Sequence, residues 1–186
     1  MNEDIAFKGR LFEIVHLLQA DGRVFEVARR APGVRLIVAN QNEKKILLTK
    51  EFRRELDAWD YRLPGGKVFD SLDEYEAFRQ SGKDILVAAR SKATQEGAEE
   101  AGVDIKDVEL FEKSTLGATV EWDLFVFEVT NWQAHKDGQK LEDGENIEAD
   151  NWFSYGQAKQ MILNGEMQEH RIALLLLQWL EKQNDR

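Results

Sequence analysis

Gln95-Glu96-Gly97-Ala98-Glu99-Glu100-Ala101-Gly102-Val103 decides how this 186-residue chain is read. On an α-helix, positions i, i+3 and i+4 share a face, so Glu96, Glu99 and Glu100 converge within one turn. Like charges at that spacing repel, and the negative C-terminal end of a helix makes the repulsion worse. A divalent cation reverses the cost: Mg²⁺ takes carboxylate oxygens, keeps several waters and completes its shell with substrate phosphates. Gly102 then serves as the residue past the helix end, where a positive φ is needed. Taken alone, E-x-x-E-E is more often a solvated acidic face. The chain upstream argues otherwise.

Arg62-Leu63-Pro64-Gly65-Gly66-Lys67-Val68 follows an apolar strand-like run and a charged loop. L-P-G-G-K-V, then a helix ending in E-x-x-E-E-x-G-V, resembles the Nudix hydrolase family, whose box reads G-x5-E-x7-R-E-U-x-E-E-x-G-U with U apolar. Gly66 matches the first glycine, and Glu96, Glu99, Glu100, Gly102 and Val103 match the helical half in register. The middle departs from the pattern. Gln95 stands for the box arginine, Gly97 for an apolar residue and Leu72 for the first box glutamate, and an insertion at about 70–84 separates the two halves.

The flanking chain resembles the ADP-ribose pyrophosphatase branch of that family. Leu11 to Leu18 and Arg23 to Arg29 read as two short alternating strands joined at Asp21-Gly22, a type I′ hairpin signal. Glu51-Phe52-Arg53 sits where that branch has Q-Y-R, and Leu116 to Glu121 resembles a substrate loop. Glu142 to Glu148 resembles the acidic loop that carries the branch's catalytic glutamate.

The resemblance implies a fold class of α/β: an α/β/α sandwich with a mixed sheet, preceded by a small N-terminal antiparallel sheet. It divides the chain into residues 1–33, strands for dimerisation and substrate, and 34–186, the catalytic domain with the insertion. Strands are predicted at Val34 to Ala39, Ile46 to Phe52, Val108 to Lys113, Trp122 to Val129 and Glu148 to Phe153. Asp84 caps a helix from Ile85 to Ala101, and helices follow at Tyr155 to Leu163 and Arg171 to Leu180. Ser71 and Glu74 make a capping box that starts a short helix in the insertion.

Hydrolysing a pyrophosphate needs several phosphate charges neutralised and a water placed in line with one phosphorus. Glu96 and Glu100 are the candidate direct ligands of Mg²⁺, or of Mn²⁺ in its place, with Glu99 beside them as ligand and catalytic group. The resemblance adds the backbone carbonyl of Gly65. Glu145 is the candidate general base, against the alternative of an acidic surface turn. Gln95 removes a cation that in the family fixes a catalytic glutamate, and Arg90 is a candidate replacement. Arg53 reads as a phosphate contact or a surface arginine, Phe25 as a base-stacking ring or core, and Glu121 as a ribose contact or a solvated strand start. His16, His135 and His170 show no ligand spacing.

Composition bounds the partners. With 35 acidic residues against 25 basic ones the formal net charge is −10, which repels a nucleic-acid backbone. There is no cysteine, which suits a reducing cytoplasm, and no apolar run long enough for a membrane. The expected activity is Mg²⁺-dependent cleavage of a nucleoside diphosphate sugar, with ADP-ribose yielding AMP and ribose 5-phosphate, by a homodimer formed through the N-terminal strands. The alternatives are a GDP- or UDP-hexose hydrolase and a degenerate nucleotide-binding module.

Overall fold

The computed structural model describes residues 2–141, 146–148 and 151–184. Its axis is β4 (Gly33–Asn40), in which Val34, Leu36 and Val38 join one apolar cluster and Ile37 and Ala39 another. All five are buried, as a strand covered on both faces requires. β10 (Leu124–Ala134) lies parallel to β4 and repeats the alternation, with Phe125 and Phe127 on one side and Leu124 and Val126 on the other. β5 (Lys45–Leu47), β8 (Val103–Ser114) and β12 (Trp152–Ser154) complete a mixed sheet in the order β12-β5-β4-β10-β8.

α2 (Ile85–Glu99) covers the first face with Ala89 and Ala93. α3 (Tyr155–Leu163) and α4 (His170–Asn184) cover the second, where Met161, Ile172, Leu176 and the fully buried Trp179 fill the core. The expected α/β/α sandwich is the fold. Among the described residues, no helix is long and apolar enough to cross a membrane.

The N-terminal sheet is larger than expected. β1 (Asn2–Lys8), β2 (Phe12–Leu18) and β3 (Val24–Arg30) pair antiparallel, and β9 (Val120–Glu121) joins β3 in parallel. The turn between β2 and β3 is not type I′, because Asp21 keeps a negative φ and only Gly22 is left-handed, at 84°. Gln19 accepts from Gly22 N and donates to Arg23 O, which makes a type I turn closed by a glycine bulge.

The predicted strand Ile46 to Phe52 divides at Leu48, whose amide donates to the Asn151 carbonyl. β5 stays in the main sheet, while β6 (Thr49–Arg53) pairs with β7 (Ala58–Arg62) and β11 (Ile147–Glu148). β7 delivers the chain to Pro64-Gly65-Gly66. In the insertion, α1 (Leu72–Gln80) begins at Ser71, whose hydroxyl accepts from Glu74 N. The Glu74 carboxylate accepts from Asp70 N, one residue before the capping-box position. Lys8 pairs with Asp73 and Glu76 at 2.9 Å and ties α1 to the N-terminal sheet.

Packing explains the glycine that replaces an apolar box residue. A Cβ at Gly97 would overlap the side chain of Ile105 on β8. Glycine inside a helix costs about 1 kcal/mol relative to alanine, and here the room has gone to isoleucine. Gly97→Leu should therefore destabilise the fold by about 1–3 kcal/mol through overpacking. Gly97→Leu combined with Ile105→Ala should recover much of that loss. Denaturant midpoints of both variants test the exchange, and equal losses would show that Ile105 is not the obstacle.

Candidate active site

α2 starts on Asp84, whose carboxylate accepts from Leu86 N at 2.9 Å, and runs to Glu99 with Glu100 as its cap. It stops short of the expected Ala101. Gly102 follows with a φ of 63°, the left-handed geometry assigned to it. Glu96 is buried, while Glu99 and Glu100 are half-buried.

The loop after β7 meets this helix end. Val34 N donates to the Gly66 carbonyl and Leu36 N to the Pro64 carbonyl, so the loop is stitched along β4. Gly65 has a φ of 143°, and a Cβ there would run into the Val34 carbonyl. At Gly66 the obstacle would be the Glu96 carboxylate itself. Each glycine answers a different contact. The Gly65 amide donates to Glu100 Oε2 at 2.7 Å, which joins loop and helix. The Gly65 carbonyl accepts from Arg35.

Lys92 lies one turn before Glu96, with its ammonium 3.0 Å from Glu96 Oε1 and 3.6 Å from Glu99 Oε2. Burial opposes its charge, but hydrogen bonding to Glu96 and the charges of both glutamates outweigh it and raise its pKa. Gln95 Nε2 donates to Glu99 Oε1 at 2.8 Å. Arg90 is not the replacement cation: its guanidinium donates to the Val108 carbonyl at 2.5 Å. The cation beside Glu96 and Glu99 is Lys92.

The glutamates line a small cleft with Gly66, Lys67, Asp70 and Lys92. Among the described residues, no three Asp, Glu, His or Cys side chains stand ready as a metal cage. The donors nonetheless fit a hard cation, since they are carboxylate oxygens clustered at one helix end around a positive charge, the Lys92 ammonium.

The other expected residues separate into two groups. Arg53 shares a second cleft with Gly65, Gly66 and Glu100, and pairs there with Glu51 at 3.0 Å and with Glu55. Phe25, on β3, is 44% exposed and lines neither cleft. Glu121, on β9, accepts from Arg29 Nε at 2.8 Å in the N-terminal sheet. Arg29 also binds Glu3 and Glu13, and its pKa rises through the Glu3 hydrogen bond against the cost of burial. A cavity of about 360 Å³ lies between that sheet and α1, and its lining includes none of Glu96, Glu99 and Glu100. Glu145 lies outside the described residues.

Sequence reading missed Lys92 and Arg35. For Lys92 the i, i+4 spacing to Glu96 was a usable signal. Arg35, a lone charge in the apolar run Val34 to Ala39, was another.

A profile of the NUDIX domain matches residues 29–175. The chain belongs to the Nudix family and is a hydrolase of that class. The solved structure of an ADP compounds hydrolase is similar over 98% of this chain and 94% of its own, at 16% identity and a TM-score of 0.66. A structure of MutT, from Aliivibrio salmonicida or Vibrio cholerae, covers 81% of this chain and 98% of its own, at 18% identity and a TM-score of 0.49. No curated protein matches the chain in sequence.

Proposed function

We propose that the protein is a Mg²⁺-dependent pyrophosphatase of nucleoside diphosphate sugars, with ADP-ribose cleaved to AMP and ribose 5-phosphate. The observation that carries this is the junction of Gly65-Gly66 with Glu96 and Glu100, where an acidic helix end meets a glycine loop. Support comes from the family, whose hydrolases use divalent metals, and from a neighbour described as an ADP compounds hydrolase.

Glu96, Glu99 and Glu100 would hold Mg²⁺, or Mn²⁺ in its place, with the Gly65 carbonyl. Bound metal supplies charge neutralisation for the diphosphate and a lowered pKa for its water. Lys92, which pairs with Glu96 and Glu99, would share those carboxylates with the metal. Gln95 keeps Glu99 oriented, and Glu145 accepts the proton of the attacking water. Arg53, which lines the second cleft, would meet a phosphate of the substrate.

A coupled phosphate-release screen with Mg²⁺ tests the reading. ADP-ribose should give signal only when a phosphatase is present to act on the products, and faster than GDP-mannose or UDP-glucose. A preference for either hexose compound would move the assignment to that substrate.

We also infer a homodimer through the N-terminal sheet, which would bring the partner's Phe25 and Glu121 to the site. Phe7, Val24, Leu18 and Ile5 are exposed on that sheet, an apolar surface a lone chain rarely leaves open. Sedimentation should find twice the 21.5 kDa chain mass. A monomer at micromolar concentration would remove the partner's residues from the site.

Gln95→Arg should raise kcat severalfold with KM little changed, because a guanidinium holds Glu99 more firmly than an amide. An unchanged rate would mean that Lys92 already supplies the missing cation.

A further inference from the structure

α1, the helix of the insertion, lines neither the glutamate cleft nor the cleft of Arg53. It is fastened to the N-terminal sheet instead. Leu72 N donates to the Arg10 carbonyl at 3.0 Å, and Lys8 pairs with Asp73 and Glu76. The rings of Tyr75 and Phe78 pack on Phe69. Between these ties lies the cavity of about 360 Å³, walled by β1, β2 and β3 on one side and by α1 on the other. Small-molecule pockets run from about 300 to 1,000 Å³.

The sheet wall carries surplus acid. The buried Arg29 meets three carboxylates there: Glu121 through Nε, Glu3 through both terminal nitrogens and Glu13 through Nη1. One guanidinium offsets only one of the three charges. Glu13 is 7% exposed, and its contact with Arg29, at 3.3 Å, uses Oε1 alone. Among the described residues, Glu13 Oε2 accepts no hydrogen bond. A buried carboxylate is costly unless its oxygens find donors.

The helix wall offers the opposite sign. Arg79 lies over the Tyr75 ring at 5.8 Å and makes no ion pair or hydrogen bond among the described residues. Its charge reaches Glu3, whose pKa falls first through the hydrogen bond to Arg29. Leu72, Ile5 and the half-buried Tyr75 ring supply apolar wall between the two charges. A plain anion would meet Glu3 and Glu13, and a plain cation would meet Arg79. A ligand carrying both charges on a short apolar body satisfies both walls. We propose that the cavity binds a free α-amino acid, its ammonium on Glu13 and Glu3, its carboxylate on Arg79 and its side chain against Ile5, Leu72 and Tyr75. The site shares no lining residue with the glutamate cleft and does not rest on the pyrophosphatase reading.

A thermal-shift screen of the standard amino acids, run in EDTA, tests for the site. Calorimetry then compares the best of them with its decarboxylated amine and its deaminated acid. At least one amino acid should raise the Tm, and each half-ligand should bind about tenfold more weakly or worse, as the loss of a charge-assisted contact predicts. Arg79→Gln, at an exposed position, should weaken the amino acid about tenfold and leave the amine's affinity unchanged or improved. Glu13→Gln should weaken both, and Glu3→Gln, at the more exposed carboxylate, serves if the buried change does not fold. A screen in which no amino acid raises the Tm would overturn the proposal. So would half-ligands that bind as tightly as the amino acid, or binding that Arg79→Gln and both glutamate variants leave unchanged.

Discussion

Glu96→Gln should lower turnover by roughly 10²–10⁴-fold, the several kcal/mol that a metal's charge stabilisation is worth. Glutamine keeps the size of the side chain and its place against Gly66, so the loss reports charge and not shape. Relief of like-charge repulsion alone would make the variant more stable than wild type. The structure removes that expectation, because Glu96 is buried and its charge is paired with Lys92 at 3.0 Å. Breaking the pair leaves Lys92 with Glu99 alone, so stability should fall by about 1–3 kcal/mol. Initial rates in Mg²⁺ together with a thermal melt check both halves. Full turnover by Glu96→Gln would exclude the glutamate face as the site.

Glu145→Gln should lower kcat by about 10²–10⁴-fold, the usual range for general-base catalysis, while KM stays flat. The loop from Glu142 to Glu148 is rich in acid and would repel a diphosphate, so a residue there contributes by accepting a proton and not by holding substrate. Glu148 is the natural control. It pairs with Lys50 at 2.9 Å on β11, and its glutamine variant should be near wild type. A dead Glu148→Gln beside an active Glu145→Gln would show that the register of the acidic loop is shifted.

The core was legible because its pattern is local. Val34 to Ala39 and the run beginning at Leu124 are apolar on both faces, and α2 carries its own cap at Asp84 and its own stop at Gly102. What was missed depends on distant partners. β1 is the charged stretch Asn2–Lys8, a strand only because β2 pairs with it and Lys8 meets α1. β5 and β6 look like one apolar strand, yet the carbonyl of Asn151 takes the amide of Leu48 and the chain passes to another sheet. In the site, three glutamates on one face could be read from spacing. That the Arg35 side chain would hold the Gly65 carbonyl could not, since the contact joins residues far apart in sequence.

Incubating the wild-type protein with ADP-ribose and following it by ³¹P NMR, first in EDTA and then with excess Mg²⁺, bears most directly on the central claim. The diphosphate resonances should persist in EDTA and, after Mg²⁺ is added, give way to the two monoester resonances of AMP and ribose 5-phosphate. Diphosphate resonances that stay intact in both Mg²⁺ and Mn²⁺, while titration shows ADP-ribose bound, would contradict it and leave a protein that holds such compounds without cleaving them.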